Sequence, residues 1–314
     1  MSKSYTSGVM LVLVAAMSWS TAGLFTRVVT TDIPTTLFWR AVFGCICVLL
    51  FFLVMRRPKH LNEVWRFRLG EAVVALFSAL GMMCFISAFF HTSIANVSFI
   101  YGAMPLVTML MAWLILRDAI TPTAIIATLF SCLGAAILVW GGQNFNDLLG
   151  IALAFLMTLF MAGMTVSAKF FPEADAMKAA YLSAFMAAVF MLPFATLLSV
   201  SIQDMAWLAL YGIVNIGLGF GVYLLGVARI PALAAALIGL SEIPLAPVWA
   251  YLLFNEQLTF AIAIGGSLIL LASVLYIVSA GRKPRRGSSG PPSNDSEATS
   301  RGPKPPKRSP APPA

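Results

Sequence analysis

A carboxylate set deep in lipid-like sequence needs a chemical reason, and Glu242 is such a residue. It stands in Gly239-Leu-Ser-Glu-Ile-Pro244, well inside the apolar stretch 232–254, whereas Glu71 falls at the edge of its own stretch. Ionisable groups at such depth are costly and tend to be functional. A carboxyl there can exchange its proton for a bound cation, which suits proton coupling or recognition of an amine. It can equally be a neutral group bonded to a backbone carbonyl released by the nearby proline, serving the helix alone. Arg40, in Phe38-Trp-Arg40, offers the complementary chemistry. Its guanidinium either snorkels to the membrane surface along its aliphatic stem or faces inward and grips a carboxylate through a two-pronged fork. Trp39 shares the ambiguity, because interfacial tryptophans are common anchors.

Trp19, Asn96, Tyr101, Asn215, Tyr223 and Ser241 lie in other parts of the apolar sequence. Their rings, amides and hydroxyls suit a zwitterion carrying an apolar side chain; each is also an ordinary packing or hydrogen-bonding residue between membrane helices. Pro105 interrupts one apolar stretch, and Pro244 and Pro247 interrupt another. Each removes an i→i−4 hydrogen bond, which frees the carbonyls of Tyr101, Leu240 and Ile243. Gly217-Leu-Gly-Phe-Gly221 permits close helix approach and is read as packing within the chain more than as a dimer face. Cys45, Cys47, Cys84 and Cys132 lie in apolar runs, and His60 and His91 stand alone. No metal ligand set, disulfide framework, cofactor motif, catalytic triad or ATP-binding phosphate loop is expected.

The elements that must position these residues follow from composition. Of 314 residues, 60% are hydrophobic and only 10% charged, with mean hydropathy +0.91. An ordinary globular chain is about 25% charged, and a water-soluble fold of this size has too much surface to cover with so few charges. Cytosolic enzymes and nucleic-acid binders are excluded as whole-chain readings. The solvent for most of the chain is the lipid bilayer. Crossing it takes about 20 apolar residues in a helix, and the sequence supplies ten such runs: 9–29, 35–55, 70–91, 94–116, 120–141, 148–169, 178–199, 206–227, 232–254 and 258–280. The first, behind Lys3, is too long for a signal-peptide core and is read as a retained span. The expected fold class is an all-α membrane protein.

The net charge of +8 is mostly a property of the C-terminus. Residues 281–314 hold eight Lys/Arg against two Asp/Glu, and nine of the eighteen prolines. That composition cannot bury a core, so the segment is read as a disordered, basic, Pro-rich cytoplasmic tail. The other basic residues set the orientation. With the N-terminus in the cytoplasm, Lys3, Arg56, Arg57, Lys59, Arg66, Arg68, Arg117, Lys169, Lys178, Arg229 and four residues after the last span fall inside; Asp32, Asp147, Asp204 and Glu256 fall outside with Arg27. Both termini are therefore expected in the cytoplasm.

An offset of 138 aligns the second half on the first. Leu116-Arg-Asp-Ala-Ile-Thr121 meets Phe254-Asn-Glu-Gln-Leu-Thr259, Gly81 meets Gly219, and Phe85 meets Tyr223. Five spans per half make the second copy enter from the opposite side, an inverted-topology repeat of the kind found in secondary transporters. The expected domains are 1–141 (spans one to five), 148–280 (spans six to ten) and the tail 281–314. With Phe38-Trp-Arg40 early in span two and acidic caps after spans four and nine, the chain resembles the drug/metabolite transporter superfamily, and within it the EamA branch. The first cap carries Asp118 where that family usually carries Glu. The resemblance spans residues 8–280 and implies export of amino acids or related small metabolites, with protons as a candidate coupling partner.

The functional expectation is therefore an inner-membrane exporter of a small metabolite, most naturally an amino acid or derivative, working by alternating access. One alternative is a multidrug or cationic-amine exporter with Glu242 as the cation's partner. Another, from a different class, is a membrane-embedded enzyme or lipid-handling scaffold. The lack of paired ionisable groups at one depth counts against catalysis, since acid–base chemistry needs partners within reach.

Overall fold

The structure, a computed structural model, describes residues 3–57, 61–92, 94–138, 148–197, 200–254 and 260–282. The tail, the acidic cap at 255–259 and the 139–147 connection lie outside the described residues. Every regular element described is helical: α1 (Lys3–Ser20), α2 (Ala22–Val28), α3 (Ile33–Arg56), α4 (Leu61–Trp65), α5 (Leu69–His91), α6 (Ile94–Tyr101), α7 (Met104–Met111), α8 (Pro122–Leu138), α9 (Leu148–Phe170), α10 (Ala176–Met191), α11 (Ile202–Tyr211), α12 (Gly221–Val227), α13 (Ala232–Gly239), α14 (Glu242–Phe254) and α15 (Phe260–Arg282), with π-helical stretches at Ala112–Leu116 and Gly212–Phe220.

Eight helices, some joined across a bend or break, are long and apolar enough to cross a membrane; the apolar lengths Leu69–Phe85 and Pro122–Ile137 are shorter. Of the ten expected spans, eight thus coincide with full-length candidates among the described residues, and two coincide with apolar helices shorter than a full crossing. Large apolar side chains such as Leu114, Leu129 and Leu252 are exposed, as befits helices whose outer faces meet lipid.

Helix ends are set by local chemistry. The Asp32 carboxylate accepts from Thr35 N at 3.3 Å at the start of α3, the Asp175 carboxylate from Met177 N at 2.9 Å at the start of α10, and the Ser201 hydroxyl from Asp204 N at 3.0 Å at the start of α11. Each satisfies a donor that the first helical turn cannot pair. Arg57 and Arg117 end their helices with φ of 44° and 57°.

Packing brings distant segments side by side: α3 lies along α10, α5 along α9, α8 along α15, and α1 along the stretch from Gly212 through α12. α13 is central, with all eight of its residues buried. Its small side chains allow neighbouring backbones to come close, which replaces the hydrophobic drive that lipid cannot supply.

Candidate functional site

Two broken helices meet at the centre. α6 ends at Tyr101, and Gly102–Ala103 turn the chain before α7, whose first turn contains Pro105. α13 ends at Gly239, and Leu240–Ser241 separate it from α14, which begins at Glu242. Both breaks lie just ahead of a proline, because its ring excludes the carbonyl four residues earlier, at Tyr101 and Leu240. Pro247 makes no such break. α14 runs through it to Phe254, which corrects the expected interruption there; one lost bond is tolerated where neighbouring groups satisfy the released carbonyl.

Across the two breaks, the Tyr101 hydroxyl donates to the Glu242 carboxylate. The last residue of α6 is thereby joined to the first residue of α14. The first turn of α14 offers that carboxylate little from the backbone: Ile243 N donates to the Leu240 carbonyl at 3.1 Å, Leu245 N to the Ser241 carbonyl at 3.3 Å, and Pro244 has no N–H. The Ser241 hydroxyl, in the break itself, is buried without a hydrogen-bond partner. Tyr223 lies within electrostatic reach of Glu242, and its hydroxyl pairs with Thr165 Oγ1 at 2.8 Å.

A second polar string continues toward α3. The Trp19 ring packs 4.8 Å from Tyr223, and its Nε1 donates to the Asn215 carbonyl at 3.1 Å. Asn215 Nδ2 donates to the Ser18 carbonyl at 3.4 Å, while Asn215 Oδ1 accepts from Arg40 Nη1 at 3.3 Å. Arg40 Nη1 also donates to the Tyr211 hydroxyl at 3.0 Å, with the guanidinium 4.9 Å over the Tyr211 ring. Arg40 is only 4% exposed, so of its two expected orientations the structure adopts the inward one. Its Nε, like Trp39 Nε1, is buried without a partner. Asn96 is fully buried and donates to Thr92 Oγ1 at 2.7 Å, one turn back.

Close helix approach places Arg40. A Cβ on Gly212 would stand 2.5 Å from the Arg40 carbonyl and 2.8 Å from Gly44 N, and one on Gly44 would stand 2.5 Å from Ile216 Cβ. A Cβ on Gly219 would run into Trp19 Nε1. In the expected close-packing pair, Gly217 does abut Cys47, but Gly221 has its nearest neighbour at 3.9 Å. The crowded glycines are set by the π-helical stretch, whose wider turn shifts which residues face α3. Such insertions cluster at functional sites.

Sequence reasoning missed Tyr211 and Thr165. Tyr211 stands four residues before Asn215, the spacing of one helical face, and that was the available signal. Thr165 has no local marker. The four cysteines are free, and no group of metal-ligating residues occurs among the described residues. Just after the π-helical stretch that extends α7, burial pushes the Asp118 carboxyl above its ordinary range, and the nearby Lys169 offsets part of that. The space beside Arg40, lined by Leu37, Met82 and Ala187, is about 10 Å³, at the lower limit for a single water.

A helical membrane bundle with a buried polar centre at two helix breaks is the architecture of a transporter rather than an enzyme. The EamA-like transporter family model matches twice, over residues 6–140 and 148–278, and the chain belongs to that family. An uncharacterized transporter of Synechocystis sp. is 24% identical over 281 residues, covering 81% of this chain and 80% of the relative. A solved structure, described only as the crystal structure of a protein, has a TM-score of 0.74 at 18% identity, covering 88% of this chain and 99% of the other. That likeness is one of fold.

Proposed function

We propose that this multi-pass membrane transporter is a ten-span secondary exporter of a small metabolite, an amino acid or derivative, built from inverted repeats at 1–141 and 148–280. It works by alternating access in the inner (plasma) membrane, with both termini cytoplasmic and protons as the coupling partner. The observation that carries this reading is the Tyr101–Glu242 hydrogen bond. It joins breaks at Gly102–Ala103 and Leu240–Ser241, which are separated by 138 residues, the offset of the sequence repeat. Matched broken helices at the interface of two halves are the expected seat of a transporter site.

Packing supports the same symmetry. The pairing of α3 with α10 and of α8 with α15 joins equivalent spans, while α1 with α12 and α5 with α9 are reciprocal partners. In the zwitterion reading, Arg40 Nε and its remaining guanidinium edge take the substrate carboxylate by a charge-assisted fork, and Glu242 takes the ammonium group. Opening must separate the Tyr101–Glu242 pair, which would couple loading to the motion of the halves.

A cationic-amine exporter is the second reading. It is favoured by the absence of any ion pair to Glu242 among the described residues. The experiment is flux in proteoliposomes at two external pH values, with wild type, Glu242→Gln and Tyr101→Phe, screened over amino acids and amines. Under the proposal, Glu242→Gln folds but loses the response to an imposed pH gradient. Unchanged flux and unchanged pH response would remove Glu242 from the mechanism.

A further inference from the structure

At the end of the bundle where α3 finishes, a cleft of about 580 Å³ opens between α3, the α4–α5 connection and the start of α10. Arg56, Arg66, Arg68 and Lys178 line it, opposed by Glu63 and Asp175. The charges are unequally occupied. Asp175 accepts from Arg56 at 3.0 Å and from two backbone N–H groups of its own helix. Lys178 Nζ donates to the Arg66 carbonyl at 2.8 Å, and Arg68 Nη1 to the Glu173 carbonyl at 3.4 Å. The exposed Arg66 guanidinium has no protein acceptor among the described residues. The cleft therefore presents a surplus of positive charge, with one whole guanidinium to spare.

Its depth says what kind of anion fits. Phe52 and Phe67 form an apolar wall. Val54 and Met55, in the turn before Arg56, are largely exposed, and so are Trp65 and Leu69 beside the cleft. Apolar side chains facing out immediately next to arginines, with an outward tryptophan, mark the level where hydrocarbon gives way to headgroups. An anion held here would have charge on one side and acyl chain on the other.

We propose that this cleft binds the phosphate group of an anionic phospholipid, with Arg66 and Arg68 as its principal donors and the acyl chains lying along the Val54–Met55 face. The lipid would bridge the α4–α5 connection and α10, which Lys178 and Tyr181 already join through the Arg66 and Val64 carbonyls. The site needs nothing from the transport reading and stands apart from the Tyr101–Glu242 centre.

The test is thermal unfolding of the full chain in detergent micelles, followed by tryptophan fluorescence. The micelles are titrated with phosphatidylglycerol, with phosphatidylcholine, or with inorganic phosphate alone. Phosphatidylglycerol should raise the midpoint saturably, and the other two should leave it in place. Arg66→Gln, which breaks no protein contact, should weaken the apparent affinity about fivefold, and Arg68→Gln by about as much, from the strength of a basic side chain near an anionic headgroup. Arg229→Gln, an exposed arginine outside the cleft, should behave as wild type. An equal response to phosphatidylcholine, a wild-type titration by both cleft variants, or an equal loss with Arg229→Gln would overturn the site. A full response to inorganic phosphate would overturn the lipid as its occupant.

Discussion

The Arg40 guanidinium donates to the Tyr211 hydroxyl at 3.0 Å and lies 4.9 Å over the same ring, so one tyrosine meets the charge with both its oxygen and its π face. No carboxylate pairs with Arg40 among the described residues. An arginine held in the membrane interior by a phenol, an amide and a ring remains an electrophilic centre, because neutral partners satisfy its donors without cancelling its charge. That is the property a carboxylate site requires.

Lysine cannot reproduce this arrangement, because it offers a point charge in place of a planar fork. Arg40→Lys should therefore fold and insert but lose at least about tenfold in flux of a carboxylate-bearing substrate, with its pH response intact. Glu242→Gln should show the opposite pattern. If the substrate is a simple amine, Arg40→Lys should transport it at the wild-type rate. Flux of matched amino-acid and amine pairs separates these outcomes.

The glycines where helices touch should sort sharply. Gly212→Ala drives a methyl group into the Arg40 carbonyl and Gly44 N, backbone atoms that cannot step aside, and should cost about 1–3 kcal/mol. A Cβ on Gly23 would have no neighbour within 4 Å, and Gly23→Ala should stabilise α2 by about 0.5–1 kcal/mol through helix propensity. Unfolding midpoints in detergent, compared with wild type, check both signs.

Asp32 governs a pH dependence at the end of the bundle opposite the basic cleft. Partial burial raises its carboxyl, but hydrogen bonds from Thr35 and Thr196 outweigh this and hold it below its ordinary range. A depressed carboxylate contributes stability above its unfolded value of 3.8, and that contribution is lost as pH falls through the lower folded value. Asp32→Ala should cost about 1 kcal/mol at neutral pH, the usual worth of a helix cap, and progressively less as acid protonates the wild-type carboxyl. Unfolding midpoints of variant and wild type should converge on acidification.

The proposed inverted repeat predicts opposite sides for two loops. In a background without natural cysteines, Asn62→Cys should react only with reagent reaching the cytoplasmic face, and Asn146→Cys only with external reagent. Labelling of both from one side would rule out the five-plus-five topology.

How much of this was legible in the chain differs residue by residue. Hydrophobic runs and charge placement mark a multi-pass helical protein because lipid admits few alternatives: each crossing segment must satisfy its own backbone and remain apolar outside. Pro105 and Pro244 marked both helix breaks, since proline removes a backbone donor through its own covalent geometry. Glu242 and Arg40 stood out for the same reason, as ionisable groups conspicuous against apolar sequence. The pairing partners were invisible. Nothing near Tyr101 announces Glu242 as its acceptor, and the π-helical turn at Gly212–Phe220, which carries Asn215 to Arg40, has no sequence period of its own. Pro247 looked equal to Pro244 but leaves its helix whole. The sequence by itself determined which segments enter the membrane and where two of them break, because those outcomes depend on local chemistry. Only the tertiary structure decided that the two breaks face each other and that Arg40 turns inward, because both depend on how closely separate helices can pack.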